Sequence, residues 1–287
     1  MYLFIQNQNY TLIIPTLRLK NQLIPLQKPI VMGILNVTPD SFYEGSRIST
    51  DKNSLYKASQ MLEEGATILD IGGYSTRPDA DDIPIEEELN RVLPAIISIK
   101  KEFPSSIISI DTFRSQVAKQ AIEVGADLIN DISGGNLDTK MFETVASLKV
   151  PYILMHMRGT PQTMKSLTDY ENIIVQMMTY FQDKISTLKS IGVEEIILDL
   201  GFGFAKTIDQ NYFLLKNLAI FEQLEVPILA GISRKSMIYK RLAIPVSEAL
   251  NGTTVLNTIA IQNGAKILRV HDVKEAIQTI KLLEYLK

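Results

Sequence analysis

Eight short apolar runs pace this chain, and each stops at a residue able to do chemistry or to bind a ligand. They read Val31-Met-Gly-Ile-Leu-Asn36, Thr67-Ile-Leu-Asp-Ile-Gly-Gly73, Ile107-Ile-Ser-Ile-Asp111, Asp127-Leu-Ile-Asn130, Tyr152-Ile-Leu-Met-His156, Ile196-Ile-Leu-Asp199, Ile228-Leu-Ala-Gly-Ile-Ser233 and Ile267-Leu-Arg-Val-His271. Runs this short and this rich in Ile, Leu and Val predict strands buried on both faces. Helical patterns lie between them. Leu55, Ala58 and Leu62 share a face, as do Leu89, Val92, Leu93 and Ile96, and Val117, Ala121 and Val124 recur in the same way. The stretch from Ile173 to Leu188 predicts the longest helix, and Val273 to Leu283 the last. Strands alternating with helices give a parallel α/β fold. Eight such units predict a single (β/α)8 TIM barrel, whose polar strand ends converge on one rim, the place where such barrels keep their active sites.

A glycine-led repeat supports the same organisation. Gly65-Ala-Thr-Ile-Leu69, Gly125-Ala-Asp-Leu-Ile129 and Gly264-Ala-Lys-Ile-Leu268 share one design, and Gly192-Val-Glu-Glu-Ile-Ile197 is a looser copy. Glycine suits the left-handed residue that ends a helix just before the next strand. The chain has 287 residues, and such a barrel takes about 250, so residues 1–287 are expected to form one domain. Residues 1–30 differ from the rest. Tyr2–Gln6 and Tyr10–Ile14 predict a β-hairpin around Asn7-Gln-Asn9, an N-terminal extension suited to plug the bottom of the barrel.

Composition narrows the chemistry. An apolar fraction of 46% with 21% charged residues fits a soluble globular chain. No run is long enough to span a membrane, and the first residues lack the features of a signal peptide, so a cytoplasmic setting is expected. With no cysteine there is no disulfide, thiolate ligand or cysteine nucleophile, and two histidines, His156 and His271, cannot build a multi-histidine zinc site. A net charge of -3 implies no general polyanion surface and no nucleic-acid partner.

Several rim motifs go beyond scaffold. Asn36-Val-Thr-Pro-Asp-Ser-Phe-Tyr-Glu-Gly45 follows the first run, and the Asn36 carbonyl oxygen is a candidate magnesium ligand, the alternative being an asparagine that satisfies its own turn. Gly72-Gly-Tyr-Ser-Thr-Arg-Pro78 follows the second. Ser75, Thr76 and Arg77 offer hydroxyl and guanidinium donors suited to phosphate, or an ordinary polar loop. Asp111, Asn130 and Asp199 end three runs and suit a flat heterocycle with N–H donors beside a carbonyl, although each alone fits a helix N-cap. In Asp199-Leu-Gly-Phe-Gly-Phe-Ala-Lys206, Phe202 or Phe204 is either a cover for an aromatic substrate or simple packing. Ser233-Arg-Lys235 puts a lysine on the rim. Arg269 and His271 alternate along one strand, and with Arg77 they form a candidate diphosphate site.

Taken together, the motifs resemble the dihydropteroate synthase family. The resemblance rests on Asn36-Val-Thr-Pro-Asp-Ser-Phe42, Asp70-Ile-Gly-Gly73 with Ser75-Thr-Arg-Pro78, Ile110-Asp-Thr112, Asn130-Asp-Ile132, Leu154-Met-His-Met157, Gly201-Phe-Gly-Phe204, Ser233-Arg-Lys235 and Arg269-Val-His-Asp272, which follow the family's order over nearly the whole chain. It implies a (β/α)8 barrel that joins a dihydropterin methyl diphosphate to 4-aminobenzoate with magnesium, works as a homodimer and is a sulfonamide target. It assigns Asp111, Asn130, Met155, Asp199 and Lys235 to the pterin. Asn36, Thr76, Arg77, Arg269 and His271 fall to the diphosphate, with Asn36 on magnesium. Thr76, Pro78, Phe204, Ser233 and Lys235 fall near the aminobenzoate. Asp111, Asp199, Lys235, Arg269 and His271 are the residues expected to carry catalysis.

The chemistry these groups favour is a dissociative, SN1-like substitution. Magnesium and cations stabilise the departing diphosphate, and carboxylates stabilise a cationic pterin methylene. The chain departs from the family pattern at Tyr74, Asp79, Leu200, Ala205 and Glu44-Gly-Ser46, none of them a proposed ligand. Two other readings share the barrel: a methyltransferase acting on reduced methyl-pterins, which needs no diphosphate cluster, and a pterin-binding homologue without catalysis.

Overall fold

The computed structural model describes residues 2–7, 10–19, 22–37, 47–75 and 82–286. In chain order its strands are β1 (Tyr2–Asn7), β2 (Tyr10–Leu19), β3 (Gln22–Pro25), β4 (Ile30–Asn36), β5 (Ile68–Gly72), β6 (Ile107–Asp111), β7 (Leu128–Asp131), β8 (Tyr152–Met155), β9 (Ile196–Asp199), β10 (Ile228–Ala230) and β11 (Ala265–Val270). The helices are α1 (Arg47–Glu63), α2 (Ile85–Glu102), α3 (Ser115–Glu123), α4 (Met141–Leu148), α5 (Ile173–Ser190), α6 (Ile208–Lys216), α7 (Ser236–Leu242), α8 (Leu250–Gln262) and α9 (Val273–Glu284). Strands β4 to β11 close into a parallel barrel, with β11 paired back onto β4. The eight apolar runs are its eight strands, as the sequence predicts.

Local chemistry accounts for several boundaries. Gly65, Gly125, Gly192 and Gly264, the repeat glycines, all have positive φ (104°, 123°, 88° and 101°), so each turns the chain from helix to strand in a conformation side chains resist. Asn172 caps α5 by accepting from Val175 N at 3.2 Å. Thr207 and Gln210 form a reciprocal capping box at the start of α6. Helix α5 spans 18 residues but is matched by α2 at 18, so it is not the single longest helix expected.

Two apolar clusters divide the core by strand face. Val31, Leu35, Leu69, Ile71, Ile108, Ile110, Ile129, Leu154, Leu198, Ala230 and Leu268 point outward, packed among helix residues such as Val92, Ile96, Val117, Phe181 and Ala276. Met32, Ile68, Leu128, Ile153, Ile197, Leu229 and Ile267 point inward and fill the barrel's N-terminal half. Side chains alternate across a strand, so the two sets interleave in sequence.

The N-terminal extension is a three-stranded antiparallel sheet rather than a lone hairpin. The expected pairing is present, Tyr2 opposite Pro15 and Asn7 opposite Tyr10. Strand β2 runs further than the hairpin requires, to Leu19, and its second half pairs with β3. That second hairpin supplies the plug: Leu17, Leu19 and Leu26 are buried in the cluster that fills the barrel interior. The added strand has a simple physical source. Leu17 and Leu19 lie one strand period apart and share a face, which gives β2 a reason to continue past Ile14.

Candidate active site

The same alternation builds the site. Two residues beyond four of the inward apolar side chains the barrel interior turns polar: Ile68 is followed by Asp70, Leu128 by Asn130, Ile197 by Asp199 and Ile267 by Arg269, while Ile153 is followed by Met155 and Leu229 by Gly231. Asp111 ends β6, paired with Gly72 on one side and Asn130 on the other. The C-terminal mouth is thus ringed by Asp70, Asp111, Asn130, Met155, Asp199 and Arg269, while Leu, Ile and Met close the floor below.

Arg269 is the electrostatic centre of this ring. Its Nε donates to Asp70 Oδ2 at 2.6 Å and one Nη to Asp111 Oδ2 at 2.5 Å, so the guanidinium reaches from β11 past β4 to both β5 and β6. Asn130 Nδ2 also donates to Asp70 Oδ2, at 3.1 Å, so its amide oxygen is the group left for a ligand. The Asp70 side chain has no exposed area, and its Oδ1 has no hydrogen-bond partner among the described residues. Burial pushes the Asp111 carboxyl up to about 7, with Arg269 opposing the rise and Asp70 adding to it. The paired carboxylates hold the Arg269 guanidinium charged despite its burial. The sequence reading placed Arg269 with the diphosphate. In the fold two of its three nitrogens are engaged with carboxylates, one of them Asp111, expected at the pterin.

Asp199, Lys235 and the loop after β9 form the opposite wall. Asp199 Oδ1 accepts from Gly201 N at 2.7 Å, and burial raises its carboxyl pKa, with Lys235 opposing. Lys235 Nζ donates to the Phe202 carbonyl and lies 4.7 Å from the centre of the Phe204 ring. Burial lowers its pKa to about 8, although Asp199 works the other way. Phe202 is fully buried, so of the two phenylalanines it is the packing residue, and Phe204 is the one that meets the lysine. Met155 is buried beside the loop, its Cγ 3.3 Å from where a Cβ at Gly201 would stand.

Ser233 and His271 pair at the end of the barrel. Ser233 Oγ accepts from His271 N at 3.2 Å and meets His271 Nδ1 at 3.0 Å. His271 Nδ1 is thus engaged by the Ser233 hydroxyl, and Nε2 is the ring nitrogen left for a ligand. Burial and the nearby Arg269 charge depress the His271 pKa to about 4, so it offers a hydrogen bond rather than a charge. The serine expected near the aminobenzoate therefore also orients the histidine expected at the diphosphate.

Asn36 ends β4 with an exposed side chain, and its Oδ1 lies 3.6 Å from where a Cβ at Gly72 would stand, the same distance as Asp111 Oδ2. Glycine at position 72 keeps this gap open. Among the described residues no group of three or more His, Asp or Glu side chains is gathered to hold a metal. Thr76, Arg77 and Pro78 lie outside the described residues, as do Asp79 and Glu44-Gly-Ser46. Tyr74 packs edge-on against Phe113 at 5.1 Å with the Arg114 guanidinium 5.1 Å from its ring centre. Arg114 in turn binds Asp82 and the buried Glu88, each at 2.9 Å, fastening the start of α2 to the end of β6.

Two groups escaped the sequence reading. Asp70 was legible as an inward residue, being two positions after Ile68, but the run was read by its terminal glycines. Lys206 is buried and donates to His156 Nδ1 and to three backbone carbonyls. His156 ends its run one position past Met155, and so faces outward onto Tyr180 and Phe181 of α5 instead of joining the ring.

Fold and site together define a (β/α)8-barrel enzyme with a mouth of carboxylates, an amide and buried cations. The chain belongs to the pterin-binding enzyme family, whose model matches residues 32–271. It is 43% identical over 264 residues to the dihydropteroate synthase of Haemophilus influenzae, covering 91% of this chain and 95% of that one. It is 44% identical over 263 residues to the dihydropteroate synthase of Synechocystis, covering 91% of each. Among solved structures, the Yersinia pestis dihydropteroate synthase with a sulfonamide drug complex superposes with a TM-score of 0.89 at 37% identity, covering 95% of this chain and 99% of that one. The Xanthomonas albilineans enzyme with 4-aminobenzoic acid gives 0.88 at 34% identity, covering 95% and 98%.

Proposed function

We propose that this chain condenses (7,8-dihydropterin-6-yl)methyl diphosphate with 4-aminobenzoate to give 7,8-dihydropteroate and diphosphate, a step of folate biosynthesis. The observation that carries it is the inward ring of Asp70, Asp111, Asn130, Asp199 and Arg269 at the barrel mouth, with Lys235 facing Phe204 beside it. Ionised Asp111 and Asp199 are acceptors for the N–H groups of a pterin, and Lys235 is a donor for its carbonyl or an adjacent ring nitrogen. The ring fits a flat donor-rich heterocycle edge-on, and Met155 gives its face an apolar neighbour.

The C–O bond between the pterin methylene and the diphosphate breaks, and its electron pair leaves with the diphosphate. Positive charge then develops on the methylene and is delocalised into the pterin, where Asp111 and Asp199 stabilise it. The aminobenzoate nitrogen forms the new C–N bond and gives up a proton to water or the released diphosphate. Phe204 and Lys235 border the space from which it approaches, so their contribution is position and exclusion of water. His271 contributes a neutral N–H to the departing group. Asn36 Oδ1, which shares the gap at Gly72 with Asp111 Oδ2, is the residue that would hold a magnesium ion, an oxygen donor of the kind that ion favours. When bound, that ion would neutralise charge on the leaving group.

The expected homodimer has a candidate face where α6, α7 and α8 lie side by side, with Phe213, Leu242, Val246 and Val255 exposed. Light scattering after size exclusion tests it: a dimer is expected, and a monomer at micromolar concentration removes the assignment. A cytoplasmic setting accords with a chain that has no cysteine to oxidise; among the described residues, no helix is long and apolar enough to cross a membrane. Sulfonamides are expected to compete with aminobenzoate.

The deciding experiment follows diphosphate release from the pterin diphosphate with magnesium, with and without 4-aminobenzoate, and dihydropteroate by chromatography. Aminobenzoate-dependent product is expected. Intact substrate despite demonstrated binding overturns the reading.

A further inference from the structure

The loop from Gly201 to Lys206 carries three alternating left-handed residues, Gly201 at φ 68°, Gly203 at 82° and Ala205 at 48°. Such an alternation is costly for any residue with a Cβ, and Ala205 has one. Something must hold the loop in this shape. The Lys206 ammonium is buried at its C-terminal end and donates to Phe204 O at 3.0 Å, Gly201 O at 3.1 Å and His156 O at 3.3 Å, with His156 Nδ1 at 3.1 Å. Among the described residues no carboxylate hydrogen-bonds to it; Asp199 is the main favourable charge nearby, while Lys235 and Arg158 oppose. A buried lysine without a salt bridge is expensive unless backbone oxygens replace its water. Here they do, and the oxygens come from both ends of one loop and from the strand end next to it.

We propose that Lys206 is a positioning residue for the amine substrate: its ammonium folds the 201–206 loop so that Phe204 and the Phe202 carbonyl meet Lys235. The role rests on the condensation proposed above. The loop's other ties act on its outer edge, Gly203 N on Asn211 Oδ1 at 2.7 Å and Tyr170 Oη on Ala205 O at 3.0 Å. Within the loop Phe204 N donates to Gly201 O at 3.0 Å, and the Lys206 ammonium adds the side-chain tie that joins that same carbonyl to Phe204 O and to the strand end at His156. Of the pterin-facing groups, Asp70, Asp111, Asn130 and Arg269 are assembled on other strands, while Asp199 and Lys235 touch the loop only at Gly201 N and the Phe202 carbonyl.

The test is a double-variant cycle of Lys206→Met and Phe204→Ala, read as KM for 4-aminobenzoate, KM for the pterin diphosphate, and calorimetric Kd for the pterin diphosphate alone. Lys206→Met is expected to raise the aminobenzoate KM about tenfold, the equivalent of one hydrogen bond to a charged group, and to weaken the pterin diphosphate Kd by a smaller factor, below about threefold, through the loop's contacts to Asp199 and Lys235. In the Phe204→Ala background it should add less than about twofold, because the ring it positions is gone. Equal damage to both substrates, or additive effects in the double variant, overturns the proposal. Lys206→Gln keeps two donors and serves if the methionine variant does not fold; an intermediate aminobenzoate KM is expected, and an unchanged one overturns the role. Amide hydrogen exchange without substrate supplies an arm independent of the reaction. Faster exchange confined to 201–206 in the Lys206 variants is expected, and unchanged exchange overturns the proposal even if the wild-type protein fails to make dihydropteroate. Failure of wild-type turnover alone counts against the condensation.

Discussion

Replacing Arg269 with methionine isolates what the central guanidinium does. The side chain links Asp70, which has no exposed side-chain area, to Asp111, at 13%. Without it two carboxylates border one emptied space, and Asn130 remains as a donor to Asp70. Removing one partner of a buried pair typically costs about 3–5 kcal/mol. The loss depends on pH, and its sign follows from Asp111. That carboxyl already sits near 7 with the guanidinium in place, held up by burial. Taking the cation away raises it further above its unfolded value of about 3.9. A carboxyl with a raised folded pKa favours the folded state at low pH, and that advantage is lost as pH rises through the folded value. The variant should therefore be destabilised less near pH 5.5, where stranded Asp70 alone counts against it, than near pH 8.5. At about 2–3 °C per kcal/mol for a chain of this size, the full penalty lowers Tm by about 6–15 °C at the higher pH. Thermal unfolding by circular dichroism at both pH values measures it. Adding Asp70→Asn removes one of the stranded charges and should recover most of the loss without restoring turnover. A deficit of equal size at both pH values, or a double variant no better than the single, would refute the account of Arg269 as the counter-charge of the ring.

Asp111 must be ionised to accept from the pterin, so kcat/KM for the pterin diphosphate should rise with pH through a limb near 7. Asp111→Asn should turn over sharply more slowly and lose that limb; a flat wild-type profile between about pH 6 and about pH 8 argues against it. Ser233→Ala frees the His271 ring to adopt the wrong tautomer and should lower kcat/KM on the diphosphate substrate by about tenfold, a loss on the order of one hydrogen bond; an effect on aminobenzoate KM alone would return Ser233 to the amine side only. Ala205→Gly relieves a left-handed alanine and should leave stability unchanged or raise it by up to about 1 kcal/mol in denaturant titration, the gain being offset by a more flexible unfolded chain. A loss above about 1 kcal/mol would mean the alanine methyl packs usefully. Chelating magnesium should stop diphosphate release yet shift Tm by less than about 1 °C, since among the described residues no metal-binding cluster holds the fold together; a large drop in Tm would reveal a structural ion.

The strands were the most legible part of this chain because a parallel barrel buries both faces, which leaves short Ile- and Leu-rich runs that nothing else explains. Helices α1, α2, α3, α5 and α9 were legible from apolar stripes. Helices α6 and α8 were not, because their buried faces include Asn211 on α6 and Thr253 and Asn257 on α8, so the apolar periodicity is broken. The site was legible as a set of residue types at strand ends, but not as a set of partners. Arg269 meets Asp70 across 199 positions of sequence and Asp111 across 158, and only closure of the barrel brings them together. The alternation rule, applied strictly, would have found Asp70 and turned His156 outward. It would not have found the engagement of Arg269, because a strand pattern says which way a side chain points and nothing about what stands opposite. That limit matters for mechanism. A guanidinium shared by two carboxylates sets the charge of the ring proposed to bind the heterocycle, and its loss should be felt there first.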